Sequence, residues 1–150
     1  MKKFLSIILV FTLAFAANAQ VTMTQTDPAG ASASIHTNSD TSYHKVDLAG
    51  NTFNYKYLSV TLAGTKTSGT VLGVAYLQGS NDNSRWFSVY ASKDGKLADT
   101  TTIQGIGDTD ASLLWIAQGT KFRYYRVVVI TQGTQVSSYV CRLLGRKQEN

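Results

Sequence analysis

Apolar and polar residues alternate along most of this chain with the two-residue period of a pleated strand. In residues 57–62, Leu58, Val60 and Leu62 share one face while Tyr57, Ser59 and Thr61 share the other. The same reading predicts strands at residues 43–48, 55–63, 70–78, 85–90, 100–103, 112–117, 122–130 and 135–144. Turn signals stand between them: Gly50 with Asn51, residues 64–69, residues 79–84, Asp94 with Gly95, residues 105–108, Gly119, and Gln132 with Gly133. No segment carries a 3.6-residue apolar stripe. About eight short strands broken so regularly by Gly, Asn and Asp predict an all-β chain, a single antiparallel β-sandwich of jelly-roll type.

Two strands depart from simple alternation. In residues 122–130, Tyr124, Val128 and Ile130 alternate with Tyr125, Val127 and Val129, so both faces are apolar. Such a strand belongs at the centre of its sheet, with its second face covered by a loop or a partner. In the last strand, Tyr139, Cys141 and Leu143 oppose Val136, Val140 and Leu144, and Gln132 with Gly133 closes a terminal hairpin.

The first 19 residues read differently. Lys2 and Lys3 precede an apolar run that ends in Ala17, Asn18 and Ala19, the pattern of a secretory signal peptide. The run is too short to span a bilayer as a helix, so no membrane span is expected after its removal. The expected location is secreted, periplasmic or cell-surface. Residues 20–42 are polar, hold the only proline, Pro28, and read as an extended arm or a first weak strand; 43–145 form the sandwich and 146–150 a polar tail.

Charge and cysteine content narrow the chemistry only a little. The net charge is +5, or +3 without Lys2 and Lys3, too mild to imply a nucleic-acid partner. Cys141 is the only cysteine and lies inside an apolar strand, where it reads as a small buried residue. His36 and His44 are the only histidines, in a polar region without metal-ligand spacing, and are expected on the surface. There is no nucleophile elbow. Asp82, Asp108 and Asp110 are turn formers, and whether they also bind calcium or serve a hydrolase as a carboxylate pair is left open by spacing alone. No catalytic, cofactor or metal residue is therefore assigned. Trp86 and Trp115 are expected in the core, and the many tyrosines supply material for an aromatic binding platform.

GSNDNSRW at residues 79–86, with RYYRV at residues 123–127, resembles the Ser-x-Asp-x-x-x-Trp turn and late Arg-Tyr-aromatic-Arg strand of the discoidin, or coagulation-factor type C, family. The pairing also looks like that of small jelly-roll proteins of bacterial secretomes and phage virions. The resemblance covers residues 76–130. It implies a structural role for Ser80, Asp82 and Trp86, with Tyr125 and Arg126 as packing partners, and a family habit of binding glycans, lipid headgroups or other surfaces through loops at one end. The flanking disulfide of that family is missing, and no binding-loop residue can be matched. The expected function is a non-enzymatic attachment module or structural subunit that contacts a glycan or a protein surface and is open to homo-oligomer formation. The alternatives are a virion or extracellular filament protein and, behind it, a small jelly-roll hydrolase acting on glycans.

Overall fold

The computed structural model describes residues 20–28, 30, 35–48, 55–93, 100–101, 103–119 and 121–147. The expected signal peptide and the turns at Gly50–Asn51 and Asp94–Gly95 lie outside them. The described residues form thirteen strands and no helix: β1 (Gln20–Thr22), β2 (Thr24–Thr26), β3 (His36–Thr37), β4 (Asp40–Asp47), β5 (Tyr55–Gly69), β6 (Leu72–Ser80), β7 (Phe87–Ser88), β8 (Ala91–Ser92), β9 (Thr100–Thr101), β10 (Ile103–Ile106), β11 (Ala111–Gln118), β12 (Tyr124–Gln132) and β13 (Gln135–Lys147). They pair into two antiparallel sheets packed as a sandwich. The seven-stranded sheet runs β1-β13-β5-β11-β8-β9, with β3 also on β13; the six-stranded sheet runs β10-β6-β12-β4-β2, with β7 also on β6.

The period-two pattern decides which side chains fill the interior. Leu58, Val60 and Leu62 of β5 face inward beside Cys141 and Leu143 of β13 and Trp115 of β11, and meet Leu77, Val127 and Val129 of the other sheet. Each fully buried aliphatic side chain stabilises the fold by about 2 kcal/mol. Burial also pushes the Cys141 thiol well above its ordinary range, which leaves it a packing residue.

Strand β5 continues through residues 64–69, where a turn was expected, with a bulge in its pairing to β13. The glycine at 64 is there for packing: a Cβ on it would lie 2.6 Å from a carbon of the Tyr139 ring, which occupies that space from β13. Glycine therefore signalled a close approach rather than a chain reversal. Of the expected strand at 85–90 only Phe87–Ser88 forms one, β7 on β6; the next short strand, β8 at Ala91–Ser92, lies beyond it and joins the other sheet.

Within residues 20–42 the described strands β1, β2, β3 and the start of β4 are all paired into the two sheets. β1 pairs with β13 and β2 with β4, so the segment passes from one sheet to the other within a few residues. Met23, between them, is buried, and its amide donates to the Cys141 carbonyl at 2.9 Å.

The histidines overturn the surface expectation. His36 and His44 are 0 % and 1 % exposed. His36 places Nδ1 3.1 Å from the Thr131 hydroxyl and Nε2 2.7 Å from that of Ser42, which in turn lies 3.2 Å from His44 Nε2. The Tyr139 ring meets His36 edge-on at 4.9 Å. Beside this chain, Ser137 donates to Gln135 Oε1 at 2.8 Å, and Gln135 Nε2 donates to the Asn38 carbonyl at 3.0 Å. Desolvation lowers the pKa of both rings, that of His44 to about 4, with His36 a second cause. A polar residue at a core position was misread as a surface residue because alternation alone does not say which face is inside.

Candidate binding surface

The opposite faces of β4, β6 and β12 form the outer surface of the six-stranded sheet, and strand register sets out its side chains in rows. One row crosses five strands as Thr24, Lys45, Arg126, Gln78 and Ser88. At a strand spacing of about 4.8 Å it is about 19 Å long. The next row reads Thr26, Tyr43, Val128, Tyr76 and Ile103. Val128 is 1 % exposed although it points outward, because tyrosines stand on both sides of it. Elsewhere this face is half-open: Tyr43, Lys45, Tyr76, Gln78, Tyr124, Arg126 and Ile130 are all partly exposed.

Arg126 is the centre of the surface. Its guanidinium carbon lies 4.1 Å from the centroid of the Trp86 ring and 4.6 Å from that of Tyr43, and its Nε donates to Gln78 Oε1 at 2.8 Å. Among the described residues no carboxylate pairs with Arg126 or with Lys45, which stands directly opposite it. Partial burial lowers the Arg126 pKa, opposed by Tyr43 and Tyr76. The arrangement holds a flat cation against two rings and leaves hydrogen-bonding capacity turned outward. Trp86 thus lies over the outer face, half-buried, rather than in the core. It precedes the short edge strand β7 and has no place in the inner layer. Trp115 is fully buried.

The turn before Trp86 holds that ring in place. The Ser80 hydroxyl donates to Asp82 Oδ1 at 3.0 Å, and the same oxygen accepts the amides of Ser84 and Arg85 at 2.9 and 2.8 Å. These donors hold the Asp82 carboxyl well below the usual carboxylate range, the Arg85 amide first. Asn81 Oδ1 accepts the Arg123 amide at 3.2 Å, which ties the turn to the start of β12. Tyr125 faces inward, where its hydroxyl accepts the amides of Lys121 and Phe122 at 3.0 and 3.3 Å. Gly79 leaves room for Phe122: a Cβ there would fall 2.1 Å from its ring.

The other acidic candidates are occupied as turn anchors. Asp108 accepts Lys66 Nζ and the Val71 amide, both at 2.7 Å, and Asp110 accepts the Lys66 amide at 2.9 Å. Among the described residues no group of three potential metal ligands converges. At the end of the sandwich beside Tyr125 there is a crevice of about 200 Å³, lined by Ser88, Tyr90, Gln118, Lys121 and Phe122 among others. It is small for a ligand site.

Sequence reasoning singled out Trp86 and Arg126 but not Tyr43, Lys45 or Gln78 as their neighbours. Alternation places Arg126 on the face opposite Tyr125. Which residues of other strands meet it depends on long-range register, which no local signal encodes.

No protein-family profile and no curated protein matches the chain. Among solved structures it is similar to the SPBc2 prophage-derived protein YomS, at 8% identity, a TM-score of 0.50, and coverage of 85% of this chain and 92% of that one. This likeness supports the sandwich fold alone. A structure reported as CBM4 follows at 6% identity and a TM-score of 0.42, covering 71% of this chain and 61% of that one. A protein described as sugar binding, from Bacteroides thetaiotaomicron VPI-5482, gives 11% identity and a TM-score of 0.37, covering 89% and 84%. No helix among the described residues is long and apolar enough to cross a membrane.

Proposed function

We propose that this chain is a secreted, non-enzymatic attachment module that grips a glycan on the outer face of its six-stranded sheet. The carrying observation is the row from Thr24 to Ser88 with the Arg126 guanidinium held against Trp86 and Tyr43. Sugars present apolar ring faces and hydroxyl edges; partly exposed tyrosines match the first, and Arg, Lys, Gln, Ser and Thr match the second. The non-enzymatic reading is supported by the sealed position of the Ser42–histidine cluster and by the turn-anchoring bonds of Asp82, Asp108 and Asp110. Export is supported by the leader-like residues 1–19. A glycan array followed by calorimetry tests the proposal. Binding that Trp86→Ala abolishes supports it; no binding to any glycan at high protein concentration contradicts it.

A second reading, a virion or filament subunit, is favoured by a different part of the same face. Leu72 and Ile103 are 55% and 58% exposed and Val74 lies between them in the sheet, beside the edge strand β10. The prophage origin of YomS is in keeping with it. Sedimentation at high concentration separates the two readings: a subunit assembles, whereas a monomer leaves attachment alone.

A further inference from the structure

We infer that the glycan is acidic: the face is built for a carboxylate-bearing polysaccharide, with Arg126 and Lys45 as the receptor for its carboxylates. This rests on the sheet-face reading above and adds the ligand's charge to it.

Register places Lys45 and Arg126 directly opposite each other on adjacent strands, on the same face. Cβ atoms in such a pair lie about 5 Å apart, and like charges there repel. Proteins usually relieve that repulsion with a nearby acid, as Arg123 does with Asp47 one row away, at 3.1 Å through both Nε and Nη2. Here the described residues supply none: the remaining members of the row are Thr24, Gln78 and Ser88, all neutral. The cationic pair is therefore complementary to an anion that the described residues do not provide.

Geometry specifies the kind of anion. Arg126 uses Nε on Gln78 and rests on two rings, so its plane is fixed while its terminal nitrogens carry no bond to a described residue. A fixed guanidinium edge suits the two oxygens of a carboxylate. Tyr43 and Tyr76 of the next row, and Trp86 on Arg126, flank the pair with aromatic surface on which a sugar ring can stack. A uronic acid unit presents both parts at once, a ring and a carboxylate attached to it.

The test measures binding of the protein to polygalacturonate, alginate and hyaluronate, to methyl-esterified polygalacturonate, to neutral galactan, and to poly-glutamate. The inference expects at least one uronate polymer to bind about 10-fold or more tightly than the ester and the neutral polymer, with affinity falling as salt is raised. Arg126→Gln should weaken that binding by about 10- to 100-fold and Lys45→Gln by less, while Arg126→Lys restores only part. Thermal melts of the variants confirm that they are folded. Equal binding of acid and ester overturns the inference and leaves the glycan reading standing. Poly-glutamate binding as tight as the uronates overturns the sugar assignment, and undiminished binding by Arg126→Gln together with Lys45→Gln overturns the site. Failure of every glycan, charged or neutral, overturns both readings.

Discussion

Strands β4 and β12 carry polar side chains on both faces, and the two sets differ in how completely the protein satisfies them. On the inner face, Ser42, His44 and Thr131 join His36 in a sealed chain in which each group has a partner within 3.3 Å. On the outer face, one residue away, Lys45 and Arg126 stand opposite each other without a described carboxylate. A buried polar network with its bonds made specifies one packing and is closed to ligand. A half-open cationic pair with no counter-charge among the described residues adds little to the fold. On the proposed function, the same strands serve stability on one side and recognition on the other.

The largest expected effect breaks the inner set. His36→Ala removes hydrogen bonds to Ser42 and Thr131 and the edge contact with Tyr139, and leaves a cavity. It should cost about 3 kcal/mol, read as a lowered urea midpoint. Glycan binding by the protein that remains folded should be unchanged. An unchanged midpoint would show that the cluster is not structural.

Next comes the pH response of that cluster. His44 has a folded pKa of about 4 against an ordinary value near 6.5, because desolvation first and His36 second oppose its charging. Between those values the unfolded chain holds more protons. Stability is therefore full above about pH 6.5 and is lost as pH falls toward 4, by about 3 kcal/mol from this ring. His36, also lowered, acts in the same direction, although Asp40 opposes part of its shift. Urea midpoints at pH 7.5 and 4.5, compared with those of His44→Gln, isolate the histidine share; equal slopes in the two proteins would count against it.

Smaller effects on stability are expected from the outer face. Arg126→Gln should change stability by less than about 1 kcal/mol while removing affinity, because its ring contacts and its bond to Gln78 are partly solvent-exposed. Asp82→Ala should lower the melting temperature slightly and weaken binding indirectly, by loosening the turn that holds Trp86. If Asp82→Ala left the Trp86 environment unchanged by fluorescence, the turn would not be its support.

Much of the fold was legible because period two is a local property. Leu58, Val60 and Leu62 announced an inward face, and the two-faced composition of residues 122–130 announced the central strand that β12 is. Glycine misled at residue 64, where the reason for it is a ring from another strand. The histidines misled because alternation alone does not say which face is inside, and because one partner of His36, Thr131, is distant in sequence. The candidate surface was half legible. Trp86 and Arg126 stood out as residues of a motif, but their meeting over Tyr43 and Lys45 depends on cross-strand register.

The two tryptophans offer the most direct test of the central claim that binding belongs to the outer sheet face. Trp86 lies half-buried on that face against Arg126, and Trp115 is sealed in the core. In a nitrogen–proton correlation spectrum each gives one indole signal, assigned with Trp86→Phe. On titration with a bound glycan, the Trp86 signal should move and that of Trp115 should stay. A ligand that saturates the protein while the Trp86 signal stays fixed would contradict the account.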